Sequence, residues 1–253
     1  MPYTLILNLG ARAGADWLSG KVLDVFGDHF AQVADRIASE QCAPRREDPR
    51  LLGYFTDNEL RWGPDWRSPK TLLADYWEMP PEAAGRLAVR EFLQEHYGTV
   101  ERFNAEWGTK YTSFEEIFAA ETLEAISPNV ARAQGAIRWR RAVQWVPRER
   151  RLERAREWFG TVEGLNREFG TQFRSLEEAV ADESPDPYER ALRELADAFT
   201  LRVAEQYFRV CAEAIRRHDP NHLILGCRFA GYAPRSVLVG MKKLGGRSLI
   251  QQL

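Results

Sequence analysis

The chain has 253 residues, enough for one large domain or two small ones, and 44% of them are hydrophobic, enough for a proper core. Its 35 basic and 37 acidic residues nearly cancel to a net charge of −2, which argues against nucleic acid or an anionic membrane as the principal partner. No run of about 18 apolar residues is present, so the sequence predicts no membrane span.

The three cysteines, Cys42, Cys211 and Cys227, lie far apart, and their odd number favours free thiols in a reducing compartment. Neither they nor the four histidines show the spacing of metal ligands, so we expect no metal and no other cofactor. The first residues, MPYTLILNLGARAG, lack a basic segment and have too short an apolar part for a signal peptide. The default expectation is therefore a cytoplasmic protein.

The first predicted unit is a strand, a helix and a second strand. Residues 4–9, TLILNL, are an apolar run that predicts a buried parallel strand, with Asn8 near its C-terminal end. Residues 28–41 place their apolar side chains on one face of a helix. The next strand begins at Leu51, so the pattern predicts a parallel pair with a right-handed crossover.

The second strand opens the segment LLGYFTDNELRWGPDW, residues 51–66, whose character changes abruptly from apolar to polar. In α/β barrels, catalytic residues lie at the carboxyl ends of strands. A carboxylate beside indole rings can act as a general acid, because apolar surroundings raise its pKa. Tryptophan faces also suit the C–H faces of sugars. The residue types alone equally allow a strand end at which Asp57 and Glu59 only cap the next turn.

The segment GYFTDNELRWG, residues 53–63, resembles the fourth-strand motif of clan A glycoside hydrolases of the β-galactosidase and β-agarase type, in a family 42-like pattern. Residues 207–231, YFRVCAEAIRRHDPNHLILGCRFAG, are similar to a helix and the fifth strand of the same enzymes. The resemblance runs from about Tyr3 to about Pro234. It implies a (β/α)8 barrel and a retaining mechanism.

The same resemblance implies roles for single residues and a saccharide partner. Glu59 would be the acid/base catalyst, and Asn58 would hold the 2-hydroxyl of an oligosaccharide or polysaccharide substrate. We expect further substrate contacts from the subsite walls and from two residues at strand ends on the same rim, namely Asp57, Trp62, Trp66, Asn8 and Arg228. Arg228 could equally pair with a neighbouring carboxylate.

Residues 68–190 are almost entirely helical in pattern and contain an internal repeat. YGTVERFNAEWGTKYTSFEEIFAAE, residues 97–121, returns as FGTVEGLNREFGTQFRSLEEAVADE, residues 159–183. Each copy has a Gly-Thr start, a Gly-Thr turn and a Ser-x-x-Glu helix opening. The copies are expected to form similar helical hairpins that pack on themselves. The alternative is a lid whose Trp107 or Tyr111 touches substrate.

Between the two copies, residues 138–156 read RWRRAVQWVPRERRLERAR, with eight arginines and two interleaved tryptophans, Trp139 and Trp145. Basic and aromatic residues together are typical of nucleic-acid surfaces. Because the whole chain is not basic, we interpret the segment as a solvated helix surface that Glu149 and Glu153 partly neutralise. No nucleic-acid partner is expected.

Residues 195–218 form the clearest helical stripe, and Asp219-Pro220-Asn221 ends it before a strand at 222–229. A further helix is expected within 233–244. The predicted fold is α/β, a partial (β/α)8, or TIM, barrel with a large all-helical insertion. Its parts are strands three and four with their helix (1–67), the insertion (68–190), and a barrel helix, strand five and a divergent tail (191–253).

A retaining glycosidase needs a second carboxylate about 5–5.5 Å from the first. The resemblance makes this nucleophile a Glu at the end of the seventh strand, and the sequence has no Asp or Glu after Phe229. We therefore expect an incomplete and inactive fragment of an enzyme that hydrolyses β-galactosides or galactans. The alternatives are a non-catalytic carbohydrate-binding remnant and a helical interaction module built on the repeat.

Overall fold

The computed structural model describes residues 1–181, 186–229 and 233–242. The chain divides into two compact units. The first is formed by Met1–Ala88 and the described residues from Asp197 onward, and the second is formed by Val89–Ala196.

The described part of the chain combines three strands with twelve α-helices. In chain order they are β1 (Tyr3–Ile6), α1 (Leu9–Arg12), α2 (Asp28–Gln41), β2 (Leu51–Asn58), α3 (Leu72–Trp77), α4 (Ala84–Tyr97), α5 (Val100–Trp107), α6 (Phe114–Phe118), α7 (Pro128–Val143), α8 (Arg151–Phe159), α9 (Val162–Phe169), α10 (Leu176–Val180), α11 (Pro187–His218), β3 (Leu223–Arg228) and α12 (Arg235–Lys242). None of the helices in the described ranges combines the length and the apolar character needed to cross a bilayer.

The three strands form one parallel sheet with β2 in the middle. The register pairs Tyr54 with Leu5 of β1 and with Ile224 of β3. Gly53 of β2 is required by this close approach, since a Cβ there would lie 2.3 Å from the carbonyl oxygen of Leu223. The predicted parallel pairing of the first two strands is confirmed, and so is the predicted helix at residues 28–41.

Two predicted boundaries are wrong, each for a local reason. β1 ends at Ile6 rather than at residue 9, because Asn8 turns into the left-handed region and the next residue opens α1. The predicted end of β2 at the Asn58-Glu59 pair is confirmed, since β2 runs to Asn58, which pairs with Arg228 of β3. α11 begins at Pro187, eight residues before the predicted start. Proline is tolerated in the first turn of a helix, because its missing N–H costs nothing there.

The core of the first unit lies between the sheet and two helices. Phe30 of α2 stacks on Tyr207 of α11 with ring centroids 5.5 Å apart, and both side chains are completely or almost completely buried. Burial of an aromatic side chain of this size stabilises a fold by about 1.5–3 kcal/mol. The three cysteines are buried free thiols, as predicted, and burial raises the pKa of Cys42 to about 12.

The two copies of the repeat fold in the same way within the second unit. Thr99 and Thr161 cap α5 and α9 by accepting a hydrogen bond from a backbone N–H, and a glycine in the left-handed conformation ends each helix. Asn104 and Asn166 then close the following turn through their side-chain amides, each donating to a carbonyl seven residues later at 2.8 and 2.9 Å. The predicted pair of similar hairpins is confirmed.

The repeated aromatic positions differ in how deeply they are buried. Trp107 is 1% exposed and donates to the hydroxyl of Tyr97 at 2.8 Å. Its counterpart Phe169 is half-buried and packs against Trp139. The alternative in which Trp107 touches a substrate is therefore wrong, and the hydroxyl of Tyr111 donates to the carbonyl of Ile126 at 2.6 Å.

The arginine-rich segment is partly core and partly surface. Trp139 is completely buried, and its indole donates to the carbonyl of Ala179 at 2.7 Å. Trp145 is 81% exposed. Arginines 150, 154 and 156 form ion pairs with glutamates 153, 157 and 177. These exposed pairs neutralise much of the local positive charge.

Candidate functional site at the carboxyl end of the sheet

Four polar residues meet where the parallel strands end. Asn58 closes β2 in register with Arg228, which closes β3. The N–H of Glu59 donates to the carbonyl of Arg228 at 2.8 Å, and Asn8 follows the end of β1. We call Asn8, Asn58, Glu59 and Arg228 the rim residues. The prediction that they share one end of the sheet is confirmed.

Two rim residues have an unfavourable backbone conformation. Asn8 and Glu59 both have φ near 56°, and they are the only non-glycine residues with positive φ in the described ranges. The left-handed region costs an L-residue about 1–2 kcal/mol. Asparagine tolerates it better than most residues, but glutamate does not share that property. Such strain is concentrated at binding and catalytic sites.

The rim side chains are also available to a ligand. Asn8, Asn58 and Glu59 are half-buried, and Arg228 is exposed. Within the described part of the chain, none of the four side chains has a hydrogen bond or an ion pair. A carboxylate, two amides and a guanidinium therefore offer both donors and acceptors at one end of the sheet.

Asp57 is not among the available groups, which corrects the expectation that it forms a subsite wall. It is completely buried, and its carboxylate accepts hydrogen bonds from the N–H groups of Gly10 and Ala11 at 2.6 and 3.0 Å. The hydroxyl of Tyr207 donates to it as well, at 2.5 Å. Burial raises the pKa of Asp57 although these donors oppose the shift. Asp57 holds the turn after β1 in place.

Trp62 is a second correction, because it belongs to the core rather than to a subsite. Its ring is 8% exposed, stacks on Phe208 at 5.7 Å between centroids and meets Tyr207 edge-on. Trp66 is 75% exposed and thus remains available as a subsite wall.

Two arginines that sequence reasoning did not single out fix the loop after Glu59. The side chain of Arg61 is 2% exposed, pairs with Asp75 and donates to the carbonyl oxygens of three loop residues, Gly20, Gly63 and Lys70. These hydrogen bonds restrain the backbone of the loop that follows the rim residue Glu59. The only sequence signal was the position of this arginine inside the tryptophan-rich motif.

Arg67 performs the same role closer to the rim. Its side chain is 7% exposed, and it binds Asp65 through Nε at 2.9 Å and through a terminal nitrogen at 2.5 Å. Its other terminal nitrogen donates to the carbonyl oxygens of Glu59 and Trp17 at 2.7 and 2.6 Å. The spacing Asp-x-Arg was the available signal, since such pairs form in tight loops.

A cavity of about 750 Å³ opens beside this loop in the first unit. It lies between residues 13–29 and 61–83, and Arg67 lines it. Its volume is within the range of ligand pockets, about 300–1,000 Å³. Charged residues in its wall are largely paired, as in Arg61 with Asp75 and Lys70 with Glu78. In the described ranges, no three His, Cys, Asp or Glu side chains converge as metal ligands.

Comparison with known proteins gives the fold. No family model matches the chain, and no curated protein matches it. Three similar solved structures are an exo-β-agarase (22% identity, TM-score 0.58), PfGH50B (16%, 0.59) and the agarase AgWH50C (20%, 0.56). Each comparison covers 96% of this chain but only 26%, 28% and 27% of the respective structure. The chain has a glycoside hydrolase-like fold and spans about a quarter of those proteins.

Proposed function

We propose that the chain carries the acid/base side of a retaining β-glycosidase site for β-galactans of the agarose type. Glu59 is the proton donor, and Asn58 binds the substrate 2-hydroxyl. The observation that supports this most strongly is Glu59 itself: its backbone is left-handed at the carboxyl end of the central strand, and its carboxylate has no partner among the described residues. Two of the similar structures are agarases, which favours an agarose-type galactan over a simple β-galactoside.

In this proposal the fold is a partial (β/α)8 barrel with a helical insertion. Three parallel strands in the order β1-β2-β3, with helices between them in the chain, support it. They correspond to the third, fourth and fifth strands of the barrel that the sequence resembles. The likeness of nearly the whole chain to about a quarter of larger agarase structures agrees with this assignment.

The chemistry follows from the groups at the rim. In a complete retaining site, Glu59 would protonate the glycosidic oxygen while a second carboxylate attacks the anomeric carbon, and it would later remove a proton from the water that hydrolyses the covalent intermediate. General acid–base catalysis of this kind contributes about 10²- to 10⁴-fold. The amides of Asn8 and Asn58 can donate to and accept from sugar hydroxyls, and the guanidinium of Arg228 offers donors to ring substituents.

We propose that this site lacks the second carboxylate of a retaining pair. Asp57 is two residues from Glu59, but it is completely buried and three protein donors occupy its oxygens. No Asp or Glu follows Phe229 in the sequence. We therefore propose that the chain alone binds galactans without turning them over. This feature also favours the second candidate, a carbohydrate-binding remnant that has lost catalysis.

The test combines binding and turnover in matched variants. Calorimetry with agaro-oligosaccharides should show saccharide binding that weakens at least about tenfold in Asn58→Ala, because a buried hydrogen bond to a sugar hydroxyl is lost. Glu47→Gln is the control, since Glu47 is 75% exposed and precedes β2 at the other end of the sheet. It should bind like the unaltered chain.

Turnover is measured on aryl β-galactosides and on agaro-oligosaccharides, with Glu59→Gln beside the unaltered chain. No turnover by either, together with binding, supports a site without its nucleophile. Robust turnover that disappears in Glu59→Gln would confirm Glu59 as catalyst and refute the claim of inactivity. Absence of saccharide binding by the unaltered chain would refute the proposed function.

A further inference from the structure

Two of the four tryptophans in the first unit face solvent. Trp17 is 49% exposed and Trp66 is 75% exposed, whereas Trp62 and Trp77 are 8% and 0% exposed. A folded domain normally buries this much aromatic surface, because an indole ring carries more apolar area than other side chains. Exposed tryptophans are typical of surfaces that meet a ligand with one apolar face.

Both exposed tryptophans contact the guanidinium of Arg67, one through its ring and the other through its backbone carbonyl. The central carbon of the Arg67 guanidinium lies 5.6 Å from the centre of the Trp66 ring, and one of its nitrogens donates to the carbonyl of Trp17 at 2.6 Å. The same nitrogen donates to the carbonyl of Glu59 at 2.7 Å. The two aromatic residues and the proposed acid/base residue therefore share one anchor.

Contacts on several sides hold Arg67 in place. Asp65 binds Arg67 at two nitrogens, a geometry that fixes the orientation of the guanidinium plane. Gly20 packs directly on it, and a Cβ at this position would lie 2.8 Å from the Cβ of Arg67. Pre-organised contact groups lose little entropy when a ligand binds.

We propose that Trp17 and Trp66, braced by Arg67, form an aromatic platform for uncharged sugar units of a galactan chain that extends from Glu59. This inference rests on the proposed function and adds a second binding region to it. Sequence patterns did not single out Trp17, which lies in the loop between α1 and α2.

The chemistry of the platform selects the ligand. Asp65 neutralises Arg67, so this guanidinium offers no free charge to an anionic polymer. Leu18, 61% exposed, extends the apolar surface. Ser19 and Ser68 each lie two residues after one of the tryptophans, and both line the cavity beside the loop. Indole faces for C–H groups and hydroxyls for hydrogen bonds together fit a neutral saccharide chain.

The experiment measures how affinity depends on ligand length. Agaro-oligosaccharides of two, four and six sugar units are titrated by calorimetry into the unaltered chain, Trp17→Ala and Trp66→Ala. The unaltered chain should bind the hexasaccharide at least about tenfold more tightly than the disaccharide, since the longer ligand reaches the platform. Each tryptophan variant should lose most of this gain and bind the disaccharide as before.

Three controls separate this inference from the proposed function. Trp145→Ala removes a tryptophan that is 81% exposed in the second unit and should keep the full gain with length. Trp17→Phe and Trp66→Phe retain an aromatic face and should keep part of the increase in affinity with ligand length. Asn58→Ala should weaken all three ligands by the same factor, and circular dichroism establishes that every variant is folded.

Two results would overturn the platform. In the first, Asn58→Ala still weakens binding, but the tryptophan variants keep the full increase in affinity with ligand length or lose affinity equally for all three ligands. The proposed function then stands and the platform does not. In the second, sulfated galactan oligosaccharides bind more tightly than neutral ones and depend on Trp17 and Trp66, which contradicts an uncharged ligand. Failure of the unaltered chain to bind any galactan overturns the proposed function together with the platform.

Discussion

At the amino end of the sheet, polar groups are paired with one another. Asp219 accepts hydrogen bonds from the hydroxyl of Tyr54 at 2.6 Å and from the N–H of Asn221 at 2.8 Å, and its carboxylate lies 2.7 Å from a ring nitrogen of His222. The other ring nitrogen of His222 lies 2.9 Å from the carbonyl of Asp48. The hydroxyl of Tyr3 also donates to Asp48, at 2.9 Å.

At the carboxyl end, the side chains of the four rim residues have no such partners in the described ranges, and two of these residues have left-handed backbone. The contrast is that expected of a parallel α/β sheet whose amino end supports stability and whose carboxyl end binds ligands. Polar residues at the two ends should therefore respond differently to substitution. Those at the amino end should affect unfolding, and those at the rim should affect binding.

The largest effect on stability is expected from Asp219→Ala. The substitution leaves the hydroxyl of Tyr54 and the N–H of Asn221 without their acceptor, and it removes the partner of His222. Loss of one member of a buried charged network costs about 3–5 kcal/mol. Urea denaturation should show this decrease in the free energy of unfolding, while Glu47→Ala, at an exposed site, should change it by less than about 0.5 kcal/mol. A loss below about 1 kcal/mol for Asp219→Ala would contradict the assignment of this end to stability.

Asp57→Asn should give the next largest loss of stability, although this residue lies near the carboxyl end of the sheet. Asp57 lies near the carboxyl end but is saturated by protein donors, so it should behave like a residue of the amino end. An amide can accept on only one side, and its NH2 group would face the N–H of Gly10. The expected loss is about 1–3 kcal/mol.

The matched variant at this site is Tyr207→Phe. It removes one donor to Asp57 and leaves the ring packing intact, so it should cost only about 0.5–1.5 kcal/mol. Equal stability of Asp57→Asn and the unaltered chain in urea would mean that the turn after β1 does not depend on this carboxylate.

A smaller effect should follow pH through His222. Burial lowers the pKa of this histidine, but hydrogen bonds with Asp219 and the Asp48 carbonyl outweigh burial and leave the pKa above its ordinary value of 6.5. A raised pKa in the folded state means that the contribution to stability is complete below pH 6.5 and is lost as pH rises through the folded pKa.

The measurement is the free energy of unfolding between pH 5 and pH 8. The unaltered chain should become less stable above about pH 6.5, and His222→Gln should lack this component of the slope. Parallel curves for the two proteins would show that His222 does not titrate with a raised pKa.

Local patterns in the sequence predicted much of this fold. The amphipathic stripe of α2 gave its bounds, and the Thr and Ser caps gave the repeated hairpins. The change from apolar to polar residues at three strand ends placed the rim residues correctly. These features depend on residues close together in the chain, which is why sequence reasoning reaches them.

What sequence reasoning missed depends on distant contacts. Trp62 and Asp57 looked like site residues because of their neighbours in the motif, yet α11 covers them with Tyr207 and Phe208 from about 150 positions later. Trp17 was missed because its loop has no periodicity. Its relation to Glu59 exists only through Arg67.

The smallest change in stability, and the most direct test of the contrast, is expected from Glu59→Gly. Glycine adopts the left-handed conformation without the cost of about 1–2 kcal/mol that a Cβ imposes. The greater freedom of glycine in the unfolded chain offsets part of this gain. The free energy of unfolding should therefore stay the same or rise by less than about 1 kcal/mol. Affinity for agaro-oligosaccharides should fall at least about tenfold, because a carboxyl group that hydrogen-bonds the saccharide is lost.

Urea denaturation and calorimetry on this single variant thus decide whether the carboxyl end of the sheet serves binding or stability. Retained or increased stability with weakened saccharide binding is the result that a ligand site at the rim predicts. A loss of more than about 1 kcal/mol in stability with unchanged saccharide binding would contradict it and would make Glu59 a structural residue.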